Sequence, residues 1–360
     1  MTIREHRARP RGSPLLASVA DVLMAHPFAC WHYGDSVGFE GLLAASELLG
    51  DPRYAAFAHG FMRAWAARAQ PYRELDNTAP GHALCLAYER TGDELLLEAA
   101  THLARFLMQR PTVAGVYTAF GRAPLREPYD GSPLSAAEAR LLADPGPGIF
   151  VDCMHFDPPF LVHLGELTGD AELLDIGAAQ ALAAVELLQD PSTGIFHHFY
   201  LQRADRCFGY GWSRGQGWAL LGLVDVLERL PSDHPAAAPL GASLRALADG
   251  LAATQDPSGH WPALVQEADA FLETSAALFV ATGFGRAVRL GLLDGDMRSV
   301  AERAYRAGLS ASGSDGVVEG VSVAVWASTA GGHYRAVPTG GAVAWGQGPL
   351  LLAAAELDRR

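Results

Sequence analysis

LLGDPRYAAFA (48–58), RTGDELLLEAA (90–100) and LTGDAELLDIG (167–177) are one junction written three times. In each, an apolar helical run ends at Gly, which tolerates the positive φ of a C′ position. Asp follows at once as the N-cap of the next helix. Two helices joined so tightly must fold back on each other, so each junction marks a helical hairpin. A second signature alternates with the first. QRPTVAGVY (109–117), QDPSTGIFHHF (189–199) and QDPSGHW (255–261), with a weaker SGSDGVV (312–318), close a helix with a Gly-containing turn and often an aromatic. Short hinges alternating with longer loops describe an array of helix pairs.

The periodicity on either side of these junctions agrees. Apolar residues recur at three- and four-residue spacing in AAFAHGFMRAWAARA (55–69), ELLLEAATHLARFLMQR (94–110) and GWALLGLVDVLERL (217–230). Caps and breakers bound about twelve helices, near 14–25, 36–48, 52–68, 78–90, 94–109, 152–167, 171–188, 214–230, 236–254, 271–290, 296–311 and 342–358. Alternating stretches are confined to VYTAF (116–120) and IFHHFY (195–200), while 111–150 and 312–340 match no pattern. No Pro/Ser-rich linker splits the chain. The expectation is one domain over 1–360, with 1–13 as a disordered basic N-terminus. About six helix pairs suit either an open solenoid or a closed toroid. The segments ahead of alternate helices carry Trp31, His32 and Tyr33, then Asp76 and Asn77, Asp152, His197 and His198, and Trp212, Ser213 and Arg214. That gathers aromatic and ionisable groups at one mouth, which favours the closed form. The expected fold is all-α, an (α/α)6 barrel.

Composition removes several function classes. The chain has 360 residues, 49% apolar and 19% charged, enough to bury a large core. It contains no Lys, all 27 basic residues being Arg, and Asn77 is its only Asn. A GC-rich genome accounts for that bias, yet it has chemical force: no Lys Schiff base, P-loop Lys or kinase Lys can exist. A net charge of -13 opposes nucleic acid or an anionic membrane as partner. No apolar run is long enough to span a bilayer, and no secretory h-region opens the chain. Cys30, Cys85, Cys153 and Cys207 form no CxxC pair, which fits reduced core thiols and a cytoplasmic protein.

Asp152 lies in GIFVDCMHFDPPF, flanked by apolar residues, a setting that suits a general acid working near neutral pH. Its other reading is a helix N-cap, as is that of Asp76 in DNTAPGHALCLAYERTGD. Together the two supply the paired carboxylates that sugar chemistry uses. Asp157, before two prolines, reads as a turn residue, and Glu273 in FLETSAALF as a cap. His197 and His198 are adjacent in an extended stretch, so only one can face a site. No further His has ligand spacing, which argues against a metal centre. GYGWSRGQGWALLGL (209–223) is the most specific segment. Trp212 offers a flat apolar face to a sugar ring and Arg214 a fork for a carboxylate, with Gln216 and Trp218 close by.

These segments resemble the unsaturated rhamnogalacturonyl hydrolases (glycoside hydrolase family 105) and the related unsaturated glucuronyl hydrolases (family 88). The likeness runs through WHYGDSVGFEGLLAASELLGD, LDNTAPGHALCLAYERTGD, VDCMHFDPPFLVHLGELTGD, GIFHHFY, WSRGQGW, ETSAALFVATGFGRAVRLGLL and GQGPLLLAAAEL. It implies an (α/α)6 barrel without metal or organic cofactor. The implied substrate is a small oligosaccharide, left by a polysaccharide lyase, with a C4=C5 double bond in its terminal uronic acid. It also implies Asp152 as catalytic acid/base and Asp76 as its partner carboxylate. His198, Trp212, Arg214, Gln216 and Tyr33 are implied on the substrate, with Gln216 leaning towards the glucuronyl branch. Two other readings stand beside this one. A sugar 2-epimerase-like toroid would use His155 and His198 as a proton-transfer pair, and a carbohydrate-binding solenoid would turn nothing over.

Overall fold

The computed structural model describes residues 13–30, 32–68 and 80–358. The three Gly-Asp junctions turn as their chemistry requires. Gly50, Gly92 and Gly169 take φ values of 66°, 65° and 70°. Asp51, Asp93 and Asp170 then accept from the backbone N–H groups of Arg53, Leu95 and Glu172. The hairpins so formed are α2 (Asp35–Leu49) with α3 (Pro52–Ala66), α4 (Gly81–Thr91) with α5 (Glu94–Leu107), and α8 (Pro158–Thr168) with α9 (Ala171–Leu188). The remaining long helices are α1 (Pro14–Met24), α10 (Ser213–Arg229), α11 (Ala237–Thr254), α12 (Thr274–Arg289), α13 (Met297–Ser310) and α15 (Ala344–Leu357).

Packing closes these helices into a ring. Helix α2 contacts α4, α4 contacts α8, and the series continues through α10, α12 and α15 back to α2. Helices α1, α3, α5, α9, α11 and α13 lie outside, each against an inner neighbour. This is the (α/α)6 barrel. Burial follows position: every residue of α10 from Ser213 to Val226 is buried, whereas α5 and α13 bury only one stripe. Inner helices approach closely through glycine. A Cβ on Gly41 would lie 2.6 Å from the Cα of Gly348, at the seam between α2 and α15.

The second signature recurs as geometry too. Gly115, Gly194, Gly259 and Gly316 all have positive φ in the turns that leave outer helices. Gln189 and Gln255 make matching bonds there, each donating to the carbonyl of the turn glycine and to a neighbouring outer helix.

The helix expected over 152–167 is broken. Asp157 separates the short α7 (Cys153–Phe156) from α8, because Pro158 and Pro159 lack the N–H groups that would continue the first helix. The patternless segments fold as lids over one end of the ring. The first holds β1 (Thr112–Val113), β2 (Val116–Tyr117), α6 (Ala136–Ala143) and β3 (Gly148–Phe150); the second holds α14 (Gly332–Arg335). They meet where Leu125 bridges Ala327 in parallel and where the Tyr129 hydroxyl donates to the Ala324 carbonyl at 3.1 Å. Strand β3 pairs antiparallel with β4 (Phe199–Leu201), which pairs with β5 (Arg206–Phe208). A separate pair joins β6 (Trp261–Pro262) to β7 (Leu272–Glu273). The four cysteines are free, and no helix of the described residues is long and apolar enough to cross a membrane.

Candidate active site

Beneath the crossing of the two lids lies a cavity of about 470 Å³. Its walls are mostly aromatic and aliphatic: Tyr33, Phe120, Phe150, Phe156, Trp212 and Trp326 among them, with Asp152, His32, His198 and Arg122 as polar members. Tyr33 precedes α2, Asp152 precedes α7 and α8, and Trp212 is the N-cap of α10. Helices α2 and α10 thus present their N-terminal ends to the cavity, the end whose dipole favours an anion.

Backbone pairing sets Asp152 beside His198. Phe150 of β3 is in register with Phe199 of β4, and the Val151 N–H donates to the His198 carbonyl at 2.8 Å. One residue further on, Asp152 Oδ2 stands 3.6 Å from His198 Nε2. The Asp152 side chain keeps 16% of its surface exposed, so it opens to the cavity rather than being sealed beneath it. It makes no side-chain capping bond to α7, so the N-cap alternative is not what holds it. The His198 ring lies 4.2 Å from that of Trp212, and its Nδ1 lies 2.7 Å from the Tyr334 hydroxyl of α14. His197 turns the other way, against Tyr210, as two neighbours in an extended strand must. Tyr33 stacks on Trp345 at 5.2 Å, and burial pushes its hydroxyl pKa up.

Two residues expected on the substrate do not line the cavity. Arg214 is fully buried behind its wall, between the rings of Trp212 and Trp345 at 5.3 and 5.4 Å. Its Nη1 donates to the Ser322 carbonyl at 2.9 Å and hydroxyl at 2.6 Å, and its Nη2 to the Val323 carbonyl at 2.8 Å. Glu273 stands 3.5 Å away and also accepts from the N–H groups of Ala276 and Ser322. The guanidinium therefore ties the second lid to the barrel, and Glu273 is the cap it was read to be. Gln216 is likewise buried and spends its amide on backbone: it accepts from the Phe196 N–H and donates to the carbonyls of Phe196 and Trp212. Loops so buried need side-chain partners for their polar backbone, and these two residues supply them. Asp76 lies outside the described residues.

His155, the other half of the epimerase pair, is buried away from the cavity, with Nε2 3.3 Å from Glu40 and Nδ1 3.7 Å from Asp225. A proton-transfer pair across one ligand is thus not assembled. Donor atoms of Glu40, His82 and Asp225, all from inner helices, lie within 4.8 Å of one another, as do those of Glu89, His163 and Glu166. Neither group lines the cavity; Arg286 meets Asp225, and Arg229 bridges Glu89 to Glu166. Asp157 is also buried off the cavity. Burial raises its pKa to about 7 against the pull of Arg110. Cys153 does line the cavity, but burial, with Asp157 and Asp152 adding their charge, holds its thiol well above the ordinary range.

Sequence reading missed Tyr334, Trp326, Phe120 and Arg122. Phe120 ends the short alternating run VYTAF (116–120), and the other three sit in stretches without periodicity, where only long-range contact gives a side chain its meaning.

The glycosyl hydrolase family 88 model matches residues 17–360. The chain is 24% identical over 340 residues to the unsaturated rhamnogalacturonyl hydrolase YesR of Bacillus subtilis, covering 93% of each protein. Among solved structures, a possible member of the GH105 family from Klebsiella pneumoniae superposes with a TM-score of 0.80 at 22% identity, covering 99% of this chain and 95% of that one. The unsaturated glucuronyl hydrolase of Bacillus sp. GL1 superposes at 0.68 with 20% identity, covering 96% and 95%. At such identities the solved structures speak for the fold.

Proposed function

Because the chain belongs to glycosyl hydrolase family 88, we propose that it hydrates the C4=C5 double bond of a terminal unsaturated uronic acid in lyase-generated oligosaccharides, with Asp152 as general acid and base. The observation that carries this reading is the Asp152 carboxyl, open to an aromatic-walled cavity and backed by His198 at 3.6 Å. Among the described residues it is the one carboxylate that lines that cavity.

The chemistry proceeds as follows. Protonated Asp152 gives its proton to C4, and the π electrons of the double bond form the new C–H bond. Positive charge develops at C5, shared with the ring oxygen. Water adds its oxygen to C5 and returns a proton to the Asp152 carboxylate. The C5 hemiketal opens to a ketone. C1, released from the ring, is then a hemiacetal that expels the neighbouring sugar as an alcohol. Trp212 and Tyr33 supply flat faces for the ring. Arg122 and the helix N-termini supply positive potential for its carboxylate. Asp76 is assigned here as the carboxylate that holds the ring hydroxyls. The free thiols and the small substrate suit a cytoplasmic enzyme.

The test uses unsaturated disaccharides from pectin, glycosaminoglycan and ulvan-type lyases, followed by the ultraviolet absorbance of the conjugated double bond. Loss of absorbance with release of the second sugar supports hydration. Asp152→Asn should lower kcat by about 10²–10⁴-fold, the usual contribution of a general acid. An Asp152→Asn enzyme as fast as the parent would refute the assignment.

A further inference from the structure

Tyr334, in the second lid, is buried to 2% exposure against His198, which lines the cavity. Its hydroxyl lies 2.7 Å from His198 Nδ1. A phenol has one proton to give. Among the described residues, the acceptor within reach is His198 Nδ1. The hydroxyl therefore donates to Nδ1, and a neutral imidazole that accepts at Nδ1 carries its own hydrogen on Nε2. That nitrogen is the one facing Asp152 Oδ2 at 3.6 Å, a spacing that a bound substrate can tighten into a hydrogen bond.

We propose that Tyr334 is a positioning residue that locks His198 in the Nε2–H tautomer and so determines which oxygen of Asp152 carries the reactive proton. With Oδ2 accepting from Nε2–H, the acidic proton resides on Oδ1. Once that proton has moved to C4, the same N–H stabilises the carboxylate left behind. No proton leaves His198 in the cycle. The lock is built closely: a Cβ on Gly209 would lie 2.3 Å from the Tyr334 hydroxyl and 2.7 Å from the His198 Cβ, and Gly209 has φ of 64°. The neighbouring His333 has its Nε2 2.7 Å from the Trp326 carbonyl, so that ring is turned away from His198's task.

The inference rests on the hydration reading for its catalytic meaning, but the tautomer can be read without substrate. In full-length protein labelled with ¹⁵N-histidine, the His198 ring nitrogens, assigned by their loss in His198→Gln, should show hydrogen on Nε2 at neutral pH. In Tyr334→Phe, both tautomers should appear. A parent protein with hydrogen on Nδ1, or a Tyr334→Phe spectrum unchanged from it, overturns the proposal whatever the enzyme turns over. In kinetics, Tyr334→Phe should lower kcat by about 10–100-fold, as loss of an orienting partner does elsewhere, with KM within about threefold. A second pair of variants bypasses any folding defect. His198→Gln puts an amide N–H near the Nε2 position, whereas His198→Asn puts its amide near Nδ1. Gln should retain at least tenfold more kcat than Asn, and equal loss in the two would count against the lock. If no unsaturated disaccharide is consumed by the parent, the hydration reading fails while the spectra still judge the tautomer.

Discussion

Asp157 shows how closely placed carboxyls can be given different work by their surroundings. Asp152 opens to the cavity, whereas Asp157, five residues on, is fully enclosed, and burial raises its pKa to about 7. In the folded chain its carboxyl keeps a proton that the unfolded chain has released. Between about pH 4, the ordinary aspartate value, and about 7, its contribution to stability therefore falls as pH rises, then levels off. Asp157→Asn removes that titration. Urea midpoints of the parent should decline from pH 5 to pH 8 more steeply than those of Asp157→Asn, and equal slopes would contradict the assignment. Arg214 gives the complementary lesson. WSRGQGW brings Trp212 into the cavity wall, but a guanidinium in such a motif can face either side of it. Here Ser322 and Val323, more than a hundred residues away in sequence, claim its donors from behind. Residue type told of a fork for oxygen; only the fold told which oxygens.

At the level of elements, the Gly-Asp hinges were legible because their chemistry is local. Positive φ at Gly and an N-cap at Asp are settled within five residues. The same locality makes them measurable. Gly92 has φ of 65° and nothing within 4 Å of where a Cβ would stand. Gly92→Ala should therefore report backbone strain alone, costing about 1–2 kcal/mol in denaturant titration with activity retained; a neutral effect would mean the hinge yields. The twelve long helices of the described residues were legible for a related reason, their stripes and caps being short-range patterns. The break at Asp157 was masked because apolar periodicity continues across it, although Pro158 and Pro159 were the signal. The lids were illegible. Their residues are ordered by Leu125 against Ala327 and by Tyr129 against Ala324, contacts that no window of sequence contains. Tyr334, held by His198, was hidden for the same cause.

For the whole molecule, closure of the ring is the demanding step. It is sealed where α15 meets α2, and there is no room for a side chain: a Cβ on Gly348 would lie 2.4 Å from the Val37 carbonyl oxygen. Gly348→Val should cost at least the 1–3 kcal/mol typical of overpacking, read as a lower Tm, and should impair activity as the seam opens; an unchanged Tm would show that the seam gives way freely. The lids add a second consequence, one of timing. The two strips that roof the cavity touch through residues 195 positions apart, and the second strip is itself moored by Arg214 to helices in between. A nascent or refolding chain can therefore coil its early hairpins and still have nothing over Asp152. Competence should arrive last and all at once, when the final third of the polypeptide comes home.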